Sequence, residues 1–202
     1  MSPGTYDLSL QLAREEMAQR EWAAIAARSE VELRDDALLV PFLHTRYRVQ
    51  RGHGGEVTVV GPSGEVPPQW LSIVILHYLL TATGRPLTGE AVDFRQLVGG
   101  EGYLPNFERR AAARLAAEFG QDPERFIRCG LKIGGRQVAL GDAAIRVSVF
   151  PRVPVTMILW RGDDEFPPSA KYLFDRSISD YLPTEDVVAI CQQLVNILRM
   201  EE

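Results

Sequence analysis

Between Pro68 and Gly84 the chain reads PQWLSIVILHYLLTATG, with apolar residues at nearly every position around a helical wheel. A helix of that kind cannot lie on a surface. It is also too short for a bilayer, which needs ~20 apolar residues, and it carries His77. The segment is therefore expected to be the central helix of a water-soluble core. Pro67-Pro68 open it and Gly84 is the expected stop. Ile73, Leu76 and Leu80 surround His77 along the helix. Two readings stay open for that imidazole: a core histidine bonded to a carbonyl, or an axial ligand or general base.

The sequence around this helix falls into blocks of strands and blocks of helices. VELR, ALLVPFLH, TRYRVQ and EVTVVG alternate or run apolar, separated by Asp35-Asp36, RGHGG and GPSGE, as in an antiparallel meander. Arg46 and Arg48 share one face of TRYRVQ, a solvated face or an anion-binding patch. AAIRVSVF and VPVTMILW, joined by PRVP, form a second pair, and the latter has the composition of a strand covered on both faces. TEDVVAICQQLVNILRM is an amphipathic helix that buries Val187, Ile190, Leu194, Ile197 and Leu198. Tyr6 to Ser29 reads as one long, Ala-rich helix. Runs of this kind, without βαβ alternation, predict α+β: antiparallel sheets packed against the central helix and the C-terminal helix. Residues 1–30 are expected to form a helical arm, a natural element for a homo-oligomer contact, and residues 31–202 a single domain.

Net charge is −5, so no global basic field favours nucleic acid. MSPGTYDLSLQ lacks a basic-then-apolar pattern, which predicts no signal peptide and a cytoplasmic protein. Cys129 and Cys191 lie far apart within predicted helices, without the spacing of a zinc or iron–sulfur site, and are expected to be buried free thiols. No GxxxxGK[ST], GxGxxG after a strand, GxSxG or SxxK occurs. RPLTGEAVDFRQLVGGEGYLPNF is Gly-rich, with one short strand, AVDFR, and Asn106 to Phe119 follows as a helix.

The segment from Asp163 to Asp186, DDEFPPSAKYLFDRSISDYLPTED, concentrates carboxylates. Thr184 is the expected N-cap of the last helix, and Glu185 and Asp186 complement its dipole. Asp180 belongs to a turn. Asp163, Asp164, Glu165 and Asp175 remain at the exit of a central strand. Asp163, Glu165 and Asp175 are the candidate metal ligands, since a hard cation takes several oxygens. The alternative is a solvated acidic turn.

ILHYLLTATGRPLTGE, FRQL, GGEGYLPNFERR, GDAA, PRVPVTMILWRGDDEFPPSAKYLFD and YLPTED together resemble domain-of-unknown-function family 3786, from about Pro68 to the C-terminus. The resemblance implies a protein of anaerobic bacteria and archaea and no assigned activity. Some members carry an added iron–sulfur module; two cysteines cannot build a four-cysteine cluster here. His77, Arg85, Arg95 and Tyr103 fall in the shared motifs and are the candidate cofactor-binding residues. The expectation is a binding or accessory protein for a small ligand or partner protein in redox or cofactor metabolism. For a tetrapyrrole or corrinoid, His77 or Tyr103 would face the ring and Arg85 or Arg95 the carboxylates. An enzyme built on the acidic cluster and a structural oligomerisation module are the alternatives.

Overall fold

The computed structural model describes residues 3–201, with backbone alone for Pro3–Thr5. It is α+β, with one antiparallel sheet of four strands and one of five. The chain forms two compact units, neither made of one continuous stretch. The first comprises Met1–Pro86, Phe150–Arg152 and Asp180–Pro183; the second comprises Leu87–Val149, Val153–Ser179 and Thr184–Glu202. No helix among the described residues is long and apolar enough to cross a membrane.

The first unit begins with α1 (Pro3–Ala18) and α2 (Trp22–Ser29), where the sequence suggested one helix. The break has a local cause. The Trp22 indole donates to the Met17 carbonyl at 3.0 Å, and the Glu21 carboxylate caps α2 by accepting from the Ala24 amide at 3.1 Å. The break also shifts the apolar stripe. Ala13 and Met17 are buried on α1, and Trp22, Ile25 and Ala26 on α2, while Leu8 and Leu12 stay exposed. The meander follows as β1 (Glu32–Arg34), β2 (Ala37–Phe42), β3 (Thr45–Arg51) and β4 (Val57–Val60). Asp35 and Asp36, both at positive φ, make the two-residue turn that pairs Arg34 with Ala37. Arg46 and Arg48 are exposed on β3.

The apolar helix is α3 (Gln69–Thr81), ending one turn before Gly84, whose φ is +86°. Leu71 to Leu76, Tyr78 and Leu79 are buried, as the all-round apolar pattern demands, and His77 is half-buried. The Tyr78 ring stacks on Phe150 at 4.3 Å, and its hydroxyl donates to the Ser29 carbonyl at 2.6 Å. Burial pushes the Tyr78 phenol well above its ordinary range.

The second unit is built on β5 (Ala91–Asp93), β6 (Arg136–Gln137), β7 (Ala143–Phe150), β8 (Val153–Trp160) and β9 (Ser169–Asp175). Along β8 and β9 the register puts Val155 opposite Phe174 and Met157 opposite Tyr172 on the buried face. Thr156 opposite Leu173 and Trp160 opposite Ser169 share the other face. The helices are α4 (Gly100–Phe107), a π-helical turn (Glu108–Ala112), α5 (Ala113–Phe119), α6 (Pro123–Lys132) and α7 (Thr184–Met200). Asp122 caps α6 from its side chain with Pro123 at the first position, as the sequence indicates. Cys129 and Cys191 are buried free thiols. The Thr184 hydroxyl, expected as a cap, instead donates to the Val98 carbonyl at 2.6 Å, and α7 starts at Thr184 itself.

Candidate functional site

The acidic segment divides sharply. Asp163, Asp164 and Glu165 are exposed. Asp163 folds its own turn: its Oδ1 accepts from the Glu165 and Phe166 amides at 2.9 and 2.7 Å, while its amide donates to the Phe166 carbonyl at 2.9 Å. The Phe166 and Glu165 amides hold the Asp163 carboxyl below its usual range. The Glu165 carboxylate takes no part in that turn.

Asp175 is 5 % exposed. Its Oδ1 accepts from the Thr88 amide (3.0 Å) and hydroxyl (2.9 Å) and from the Ser177 amide (3.0 Å) and hydroxyl (2.7 Å). Its Oδ2 accepts from the Gly89 amide at 2.8 Å. Burial by itself would raise this carboxyl. The Ser177 and Thr88 donors outweigh it and hold the group far below the ordinary carboxylate range. All five donors belong to the protein, so Asp175 clamps the strand to the loop that precedes β5. Among the described residues no three His, Cys, Asp or Glu side chains gather as a metal site would require.

The proposed cofactor residues distribute over the two units. His77 on α3 and Arg85 belong to the first. The Arg85 guanidinium pairs with Asp180 at 3.2 Å, and its carbonyl accepts from the Tyr181 hydroxyl. Arg95 and Tyr103 belong to the second. The half-buried Tyr103 donates its hydroxyl to Glu185, and that hydrogen bond raises the phenol above its ordinary range. Arg95 makes no hydrogen bond or ion pair with any described residue.

Arg95 lies at the mouth of a groove of about 440 Å3, a volume typical of ligand sites. The β5–β9 ladder ends at Asp93 opposite Leu173, so Ser169–Tyr172 have no strand beside them on that edge. The groove runs along this free edge. Phe94, Phe107 and Tyr172 wall it on the helical side, with Trp160 and Lys171 on the other. Phe94 and Phe107 stack at 4.0 Å, and Phe107 meets Tyr172 edge-on at 5.4 Å. Lys171 is held to Asp93 at 3.4 Å.

Local sequence shapes this wall. A Cβ on Gly100 would fall 2.1 Å from the Phe94 carbonyl oxygen, so only glycine lets α4 begin this close to the strand exit. Gly99 precedes it at φ +72°. The stretch 100–105, expected as loop, is thus helical. Pro105 sits inside α4, and the π turn that follows places Glu108 and Ala112 on the groove. Sequence reasoning singled out Arg95 but missed Trp160, Phe107 and Lys171. The available signal was Trp160 and Lys171 at the half-polar positions of otherwise apolar strands.

Comparison with known proteins yields one kind of match. No curated protein and no solved structure is significantly similar to the chain. A family model described as a domain of unknown function, DUF3786, matches residues 21–197, which extends the resemblance N-terminally across α2 and the whole meander. With most of its length covered by that match, the chain belongs to the DUF3786 family.

Proposed function

We propose that the protein is a binding module whose ligand lies in the groove along the β9 edge. The carrying observation is an aromatic-walled groove of about 440 Å3 with the unpartnered Arg95 at its mouth. Such a wall favours a flat or extended apolar body, and the free guanidinium favours an acidic group on it. A tetrapyrrole or corrinoid carrying carboxylates has both properties. Tryptophan fluorescence titrated with protoporphyrin IX and with a corrinoid should quench saturably, and Arg95→Gln should weaken binding at least tenfold. Equal affinity in that variant would remove the acidic-group reading. Absence of quenching by both compounds would remove the tetrapyrrole version.

A second reading, a partner's extended segment, is favoured by the free edge itself. The Arg176 amide donates to the Glu90 carbonyl at 2.9 Å, so by antiparallel alternation the Ala170 backbone groups also point to that open side. A segment added there would draw affinity from main-chain bonds. Ala170→Pro removes an edge N–H and should abolish capture of a segment while sparing a small ligand.

A further inference from the structure

The face of the second sheet that carries Thr156 and Leu173 also holds a smaller cavity of about 150 Å3. Arg146, Thr156 and Leu173 line it together with Glu90, Val138 and Leu140. Arg146 is half-buried on β7, and its direct cross-strand partner on β6 is Arg136. Residues opposite one another in an antiparallel ladder share a face, so two arginine side chains leave the sheet from directly opposed positions. Like charges so placed are destabilising.

Neither guanidinium has a hydrogen bond or ion pair with any described residue, although the chain has 27 acidic residues and a net charge of −5. The acids nearest at hand are committed elsewhere. Glu90 closes on Arg176 through two bonds of 2.5 and 2.6 Å, and Asp175 is saturated by its five donors. The Thr156 hydroxyl likewise has no partner among the described residues. A guanidinium fork matches the geometry of a carboxylate or phosphate and binds it through paired N–H bonds. We propose that this cavity binds a small oxyanion, a phosphate or a short carboxylate, gripped by Arg146 with the Thr156 hydroxyl as a second donor, while Arg136, paired with Arg146 but outside the cavity lining, adds positive charge beside it. The ligand supplies the counter-charge that the protein omits. The cavity volume suits inorganic phosphate or a short-chain acid and leaves no room for a nucleotide. The site is independent of the β9-edge groove.

The test is a thermal-shift and calorimetric titration of the full chain in Tris chloride with inorganic phosphate in one arm and succinate in the other. Chloride at matched ionic strength is the control. One arm should give a saturable rise in Tm that chloride does not reproduce, and the arm that does so identifies the anion class. Arg146→Gln should weaken that affinity at least tenfold and Arg136→Gln several-fold. The exposed pair Arg46→Gln/Arg48→Gln should leave it unchanged. No saturable response in either arm, or unchanged affinity in Arg146→Gln, would overturn the proposal. Stability of the unliganded variant gives a second readout. Without added anion, Arg136→Gln should unfold at or above the wild-type temperature because a repulsion is relieved. A lower temperature would mean that Arg136 already finds its counter-charge within the protein, and the site would be refuted.

Discussion

Replacing Asp175 by Asn keeps the shape of the side chain and removes its charge, which isolates what the carboxylate does. In the native protein Oδ1 accepts four hydrogen bonds and Oδ2 one. If the amide oxygen takes the Oδ1 position, four charge-assisted bonds become ordinary ones, and the new NH2 group faces the Gly89 amide, donor against donor. The opposite orientation sets the NH2 group against four donors and is worse. Loss of one buried charge-assisted bond and weakening of its neighbours should cost about 2–4 kcal/mol. For a chain of this size that lowers Tm by roughly 6–12 °C.

Urea denaturation followed by far-UV circular dichroism at pH 7 reads the difference directly. The pH dependence gives an independent check. Because the folded carboxyl titrates far below the ordinary carboxylate range, its contribution is complete above the unfolded-state pKa of ~3.9. It is lost as pH falls from there through the folded value. The gap between wild type and Asp175→Asn should therefore be flat from pH 7 to about 5 and shrink steadily below ~4. A variant within about 0.5 kcal/mol of wild type at pH 7, inside the range of ordinary surface substitutions, would refute the clamp. So would a gap that fails to close in acid.

Tyr78→Phe strands the buried Ser29 carbonyl and should cost about 1–2 kcal/mol in urea titration; in the wild type that phenol should stay un-ionised in a difference-absorbance titration to pH 11. A Cβ added at Gly130 would sit 2.5 Å from Cγ1 of Ile145, so Gly130→Ala should overpack the α6–β7 contact and cost about 1–3 kcal/mol, read from the urea midpoint. Cys129 and Cys191 are both buried, and burial pushes the Cys191 thiol upward, so neither should react with a thiol reagent until denaturant is added. Prompt titration of one thiol in the native protein would contradict that packing.

The strands were legible because their signals are local. Alternating β-branched residues and the Gly and Pro breakers mark the meander, and VPVTMILW carries its double-sided burial in composition alone. The break between α1 and α2 was not legible, because Gln19, Arg20 and Glu21 are acceptable helix residues and the cause is a Trp22–Met17 bond. Gly99, Gly100 and Gly102 read as loop from propensity, yet close approach to the Phe94 carbonyl overrides propensity there. Asp175 shows the limit for the site. Its bonds to Ser177 are a local turn pattern that sequence can suggest, whereas Thr88 and Gly89 arrive from 87 and 86 residues away. The opposition of Arg136 and Arg146 depends wholly on strand register, which no spacing rule supplies across the loop between β6 and β7.

The discontinuity of the two units bears on how the protein is made. Tyr78 needs Phe150 to complete its stack, and the first unit also takes in residues 180–183, about a hundred residues beyond α3. The second unit waits for α7. The usual order, in which an N-terminal part folds while the remainder is still being synthesised, is closed to this chain. Neither core can be sealed before residue 180 has been made. A chain truncated before residue 180 should therefore yield no folded first unit, and α3, apolar on nearly every side, is the segment left most exposed in the meantime.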